Sequence, residues 1–379
     1  MVLSVDMLQH AALGALVSGG GIAAAQCLLA RKLQQPSSFA LAVGSFVGVF
    51  RFLESWGRDS NDKQQDEHDG ANSSRAAAVA AIVALFLLEG DRKRIVLSYA
   101  AIEAMLALSR EHTALADVKY IEVLLGIPVY TQIIHTWVCN SDLLTKAELG
   151  VFDGPCALRH SVLQRMRDEI PTGKLLSRCD VFHRGETCSQ FHSGYFVKGM
   201  KRAARIHIPI YLFSAVLMKY KQWLWGPRPD IVKIAIQYLR TCASLTLVYQ
   251  IPFFSSCYIP SNHHRAVVIL AGMSGSLSMF VEHARRRGTV LKAVAIYSLC
   301  SAAVHAARLL KLTPAMTKSL QYALFSASIA VIFQQPEKQS KTIMNHLFGY
   351  DVSARTKRDR APRRRSTVDH APTSDEEDA

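Results

Sequence analysis

Apolar runs free of Asp, Glu, Lys and Arg punctuate this chain. They occupy residues 7–30, 33–50, 76–88 and 123–141, and then 206–218, 241–262, 266–281, 293–307 and 319–336. One further run, 95–109, carries a single charge, Glu103. A helix needs about 20 residues to cross a hydrocarbon core. The longest runs reach that length and are apolar on every face, whereas a helix half-buried in a soluble protein shows one stripe. The shorter runs fit spans whose flanking Lys and Arg snorkel, or around which the bilayer thins. The competing reading is a set of core helices in a water-soluble all-α protein. The pattern predicts an all-α, polytopic membrane protein of about nine to ten helices in two related helical units. Nine spans are favoured, because 206–218 is short and contains Pro209.

Small residues recur every four positions inside the first two runs. Gly14 and Ser18 lie with Ile22 on one row, Ala15, Gly19 and Ala23 on the next, and Ala40, Gly44 and Gly48 on the second helix. Such rows let helix backbones approach in lipid, where packing replaces the missing hydrophobic force. In water the same glycines would cost about 1 kcal/mol each relative to Ala.

A short internal repeat accompanies the runs. The third run ends with Glu89, Arg92, Lys93 and Arg94, and Glu282, Arg285, Arg286 and Arg287 follow the eighth. Both read E-x-x-R-[KR]-R and both precede another Ala-rich run, as expected of two related units.

The polar stretches complete the division into four segments. A multi-pass helical unit fills 1–142, a polar interfacial segment bearing Cys and His fills 143–205, and a second multi-pass unit fills 206–350. A disordered tail, basic and then acidic, fills 351–379 and contains RRRST at 363–367, which has the form of a kinase site. Connections along the N-terminal unit alternate in charge: Arg31 and Lys32, then the acidic stretch 58–75, then Arg92 to Arg94. Successive spans produce that alternation.

Composition agrees with this picture. Half the chain is apolar, only 20% is charged, and the mean hydropathy is +0.12. The net charge of +14 sits in clusters beside apolar runs, which suits membrane surfaces. No nucleic-acid-binding signature accompanies it, so no nucleic-acid partner is expected. The N-terminus, MVLSVDMLQH, resembles neither a secretory signal nor an Arg-rich transit peptide, so any organelle address is expected to be internal. Eight scattered cysteines do not form a secreted disulfide framework and read as thiols in a reducing compartment.

The stretch CDVFHRGETCSQFH, 179–192, carries the chain's densest potential chemistry. Cys179 and His183 are four apart, as are Cys188 and His192, and Gly185 offers a break between two short helices. The pairs can converge on one tetrahedral metal, for which two Cys and two His are a common zinc set, although the spacing is not that of the usual fingers. The alternative is a membrane-surface turn whose cysteines are free or bridged. Glu103 is the one intramembrane carboxylate, a functional candidate because an unpaired charge there is costly. Its structural alternative is a helix–helix ion pair, for instance with Arg51. His135 and His305 read as helix-contact residues. No hydrolase elbow, zinc-protease motif, P-loop or dinucleotide fingerprint is present, and no cofactor is expected.

The Cys–His stretch and its continuation resemble the cysteine-rich region of the transmembrane protein 135 family. Cys179, His183, Cys188, Phe191, Phe196, Gly199 and Pro209 match, while Arg184 stands where that family usually has Pro. The likeness continues through Leu239, Arg240 and Cys257, AGMSGSLSMFVEHARRR (271–287) and LFSASIAVIFQQPEK (324–338), and ends at Phe348-Gly349. It therefore covers 175–350, whereas the first 140 residues match only in layout. The glycine-rich hairpins are also similar to the mitochondrial protein-import translocase family. The resemblance implies a non-enzymatic, multi-pass membrane factor of peroxisomes, mitochondria or both. It would influence the balance of organelle fission and fusion and lipid distribution, with the bilayer and the organelle-division machinery as partners. It carries no catalytic residues with it. The alternatives are a transporter or pore for a lipid or metabolite, motivated by the repeats and Glu103, and a zinc enzyme using the Cys–His stretch. Oligomeric state is not encoded in any motif.

Overall fold

The computed structural model describes residues 5–30, 37–60, 69–112, 118–173, 178–213, 230–260 and 263–334. The expected tail at 351–379, the RRRST site, the Arg31–Lys32 turn and the Phe348-Gly349 turn lie outside the described residues, as does 214–218 of one apolar run. The described residues are all-helical, with no strand among them. We number the helices α1 (Val5–Ala30), α2 (Ser38–Ser60), α3 (Asp69–Leu87), α4 (Gly90–His112), α5 (Ile121–Cys139), α6 (Lys146–Asp153), α7 (His160–Glu169), α8 (Arg178–Phe182), α9 (Cys188–Phe213), α10 (Ile231–Tyr258), α11 (His264–Ser274), α12 (Ala284–Leu309) and α13 (Pro314–Gln334). A 3-10 segment, Gly275–Phe280, follows α11.

Five of these are long and apolar enough to cross a membrane: α2 over Ser38–Gly57, α5, α10, α12 and α13. Two shorter apolar stretches, Ala11–Ala24 and Asn72–Leu87, lie in α1 and α3.

The helices form two compact units. The first comprises α1 to α4 and α13. Its α1–α2 hairpin packs along the rows of small residues: a Cβ on Gly19 would lie 3.1 Å from the Gly44 Cα, and one on Gly48 would lie 3.1 Å from the Ala15 Cβ. The core beside it joins Phe46, Val47 and Phe50 to the alanine face of α3 and to Phe325 and Phe333 of α13. Two hydroxyls tie α13 antiparallel to α3. Ser74 donates to the Ala330 carbonyl at 2.9 Å, and Ser326 donates to that of Ala78 at 3.0 Å.

The second unit comprises α5 to α12, residues 113–314. Packing thus groups α5 with the later helices and α13 with the early ones, whereas composition alone divides the chain into consecutive segments. Here too small residues set the contacts. A Cβ on Gly272 of α11 would lie 3.0 Å from the Thr131 Cα of α5, and one on Gly199 of α9 would lie 2.5 Å from the Thr246 methyl of α10. Hydroxyls complete the α10 interface: Ser244 donates to the Ser278 carbonyl at 3.1 Å, and Ser255 and Ser274 hydrogen-bond at 3.0 Å. Such bonds satisfy polar groups without water.

Within the polar segment α6 begins with a capping box, in which the Thr145 and Glu148 side chains cap each other's backbone N–H groups. Asp153 at its end accepts hydrogen bonds from the Trp137 indole (2.8 Å) and from two Arg167 nitrogens, joining α5, α6 and α7. The described residues of the interfacial segment therefore pack as part of the second unit, and they hold the Cys–His stretch against α10.

The two E-x-x-R-[KR]-R stretches both sit at turns between helices, but their acids differ. Glu89 is exposed beside Gly90, which adopts φ +59° to turn the chain from α3 into α4. Glu282 is 3% exposed and accepts from the Thr241 hydroxyl at 3.2 Å and from the His283 N–H at 3.0 Å. Arg287 caps the 3-10 segment by donating to the Met279 carbonyl at 2.8 Å.

Candidate metal centre

The Cys–His stretch folds as a short helix, a turn and a long helix. Cys179 lies on α8, and His183 follows the last residue of that helix. Gly185 adopts φ +81°, a left-handed conformation that a side chain would strain, and it reverses the chain so that α9 can start at Cys188. The reversal brings the Cys179 and Cys188 Sγ atoms to 3.8 Å, well beyond the ~2.05 Å of a disulfide bond. The His183 Nε2 lies 3.4 Å from the Cys188 Sγ.

The fourth member comes from elsewhere in the chain. Cys257, in the last turn of α10, places its Sγ 3.8 Å from the His183 Nε2. The ligand atoms of Cys179, His183, Cys188 and Cys257 all lie within 4.8 Å of one another. Three residues of the sequence-derived set are thus brought together, and Cys257 joins them. His192 is not in this group. Its ring stacks edgewise on Phe254 with centroids 5.1 Å apart, and neither of its nitrogens has a hydrogen-bond partner among the described residues. Its centroid lies 6.5 Å from that of His183.

The surroundings fix His183 in place. Its ring packs on Phe191 with centroids 4.9 Å apart, and its Nδ1 lies 3.0 Å from the Glu186 carbonyl oxygen. A carbonyl only accepts, so the Nδ1 bears the proton and the Nε2 lone pair faces the three sulfurs. Burial, and then the neighbouring Cys179, raise the Cys188 thiol above its ordinary range. Burial, and then the neighbouring His183 ring, hold His192 below its ordinary range. A cleft of about 270 Å³ opens beside His183, lined also by Arg184, Glu186, Phe191, Tyr195 and Lys198 among others.

Glu103 lies far along the sequence, half-buried on α4, and engages the Tyr99 hydroxyl one turn away. Arg51 lies against Gly14, with its Cδ 2.7 Å from where a Gly14 Cβ would stand. His135 is half-buried on α5 and His305 is exposed on α12.

No protein-family model, curated protein or solved structure matches the chain.

Proposed function

We propose that this chain is an integral membrane protein of peroxisomes, mitochondria or both, without catalytic activity, that influences organelle division and lipid distribution through partners at its basic surfaces. The membrane part of the proposal is carried by one observation: on several helices large apolar residues are exposed while small and polar ones are buried. On α1 the buried positions are Ala11, Gly14 and Ser18, while Leu13, Leu16 and Val17 are exposed, Leu16 by 71%. On α3 Ser73, Ala77, Ala80 and Ala84 are buried, while Val79, Ile82 and Phe86 are exposed. On α10 Thr241, Ser244 and Thr246 are buried, while Ile231, Val232, Ile236 and Leu239 are exposed. A soluble protein rarely exposes continuous apolar faces. In lipid those faces meet acyl chains, and the small residues let the helices touch.

The proposal extends from the five helices of spanning length to nine crossings, with α1, α3, α4 and α11 crossing at their apolar cores. An odd number places the two termini on opposite sides. The organelle and the process are supported by the likeness of 175–350 to the transmembrane protein 135 family.

The membrane reading is tested by washing membranes with alkaline carbonate: the chain should remain in the pellet, and its recovery in the supernatant would reject insertion. Terminal tags with selective permeabilisation test the nine crossings, which termini on the same side would refute. Cells lacking the chain should show altered organelle length and lipid content, and unchanged values for both would reject the organelle role.

A further inference from the structure

We propose that Cys179, His183, Cys188 and Cys257 bind one zinc ion, which pins the interfacial segment to the end of α10. This inference does not depend on the organelle in which the protein resides.

Three of the six distances among the four ligand atoms are close to those of a tetrahedral site, and all six are within 4.8 Å. With Zn–S about 2.3 Å and Zn–N about 2.05 Å, tetrahedral angles separate two sulfurs by about 3.8 Å and a sulfur from a nitrogen by about 3.6 Å. The Cys179 and Cys188 sulfurs are 3.8 Å apart, and the His183 Nε2 lies 3.4 and 3.8 Å from the sulfurs of Cys188 and Cys257. Thiols brought together only by packing have no reason to share one focus with an imidazole lone pair.

The supporting shell is also that of a metal ligand. His183 donates its Nδ1 proton to a backbone carbonyl and packs on Phe191, which holds the tautomer and ring orientation that ligation by Nε2 requires. Three thiolates and a neutral imidazole around Zn²⁺ sum to a charge of −1. Arg184 and Lys198 line the cleft beside His183 and bring positive charge to that side of the site. Sulfur-rich tetrahedral sites select zinc over the hard cations, which prefer oxygen. Four protein ligands leave no open position, so the ion is structural and not hydrolytic.

The consequence is topological. Cys179, His183 and Cys188 belong to the α8–turn–α9 segment, whereas Cys257 is the penultimate residue of α10. One ion therefore closes a loop from the polar segment to the end of a helix of membrane-spanning length. Local ligand spacing alone points to His192, and the fold assigns that place to Cys257.

The test is metal analysis of the full-length chain purified in detergent under reducing conditions. About one zinc per chain is expected, and replacement by Co²⁺ should give the intense thiolate-to-cobalt absorption of a tetrahedral sulfur-rich site. Cys257→Ser should weaken zinc binding by tenfold or more, whereas His192→Gln should retain the ion. A stoichiometry near zero, both as purified and after equilibration with micromolar zinc, overturns the proposal, as does full zinc retention by Cys257→Ser. Should Cys257→Ser fail to fold, alkylation of the wild-type protein decides. Zinc should protect Cys179, Cys188 and Cys257 together, and a chelator should expose all three. Equal labelling with and without zinc, or a native Cys179–Cys188 disulfide, overturns it.

Discussion

Gly19 of α1 and Gly44 of α2 pack backbone against backbone. A Cβ on Gly19 would lie 2.9 Å from the Ala40 carbonyl oxygen and 3.1 Å from the Gly44 Cα, and one on Gly44 would lie 3.0 Å from the Ala15 carbonyl oxygen. These neighbours are backbone atoms, which cannot rotate away as a side chain can. Gly19→Leu should therefore separate the hairpin and cost about 1–3 kcal/mol, seen as a lower unfolding midpoint in detergent. Gly20 is the internal control, since nothing lies within 4 Å of a Cβ there. Gly20→Leu should leave the midpoint unchanged, and equal losses from the two variants would refute the contact.

The ease of reading each feature from sequence tracks its distance along the chain. The rows through Ala15 and Gly19, and through Ala40 and Gly44, are local i,i+4 patterns, and the hairpin joins neighbours, so residue type and spacing suffice. The Cys179–His183 and Cys188 spacing is equally local. Cys257 lies 69 positions beyond Cys188, and no periodicity links it to the stretch it completes. His192 has the right spacing, but its ring turns to Phe254, a packing outcome that local pattern does not contain. The return of α13 to α3 is hidden for the same reason, since Ser74 and Ala330 are 256 positions apart. The capping box at Thr145 and Glu148 was visible as T-x-x-E, a signal that the run of apolar segments overshadows.

Asp153 predicts where the polar segment is most vulnerable. It accepts from Trp137 and from a two-nitrogen Arg167 fork, and the Arg167 side chain is only 10% exposed. Asp153→Ala strands that guanidinium and should cost about 2–3 kcal/mol. Arg167→Lys should also destabilise, because an ammonium cannot reproduce the fork. Arg165, paired with Glu169 at 3.7 Å on an exposed face, is the comparison. Arg165→Ala should shift the unfolding midpoint little. If Arg165→Ala costs as much as Asp153→Ala, the network does not anchor α5 to α7.

The two E-x-x-R-[KR]-R stretches should respond unequally. Buried Glu282 accepts from Thr241, and Thr241 also accepts from Arg286 at 2.6 Å. Glu282→Ala leaves the His283 N–H without its acceptor, while the Thr241 hydroxyl keeps the Gln237 carbonyl at 3.0 Å, and should lower stability by about 1–3 kcal/mol. Exposed Glu89→Ala should change it by less than about 0.5 kcal/mol. Matching losses measured side by side would mean that the stretches play one role in both places.

Cys156 gives the second unit a predictable alkaline weakness. It is fully buried outside the helices of spanning length, 3.6 Å from the Tyr195 hydroxyl. Burial pushes its thiol from an ordinary 9.0 to about 11. Below pH 9 the thiol is neutral whether the chain is folded or unfolded, and no penalty arises. Between pH 9 and 11 the unfolded chain releases the proton while the folded chain keeps it, so stability falls as pH rises, by on the order of 2–3 kcal/mol in all. Tyr195, raised by burial and then by Cys156, acts in the same direction above pH 10. Cys156→Ala removes the thiol and should flatten the decline between pH 9 and 10, where tyrosine contributes least. The informative quantity is the difference in slope of the unfolding midpoint between wild type and variant, because other groups titrate in both. Parallel slopes would mean that the Cys156 thiol ionises as freely in the folded protein as in the unfolded chain, and that water reaches the junction of α6, α7 and α9.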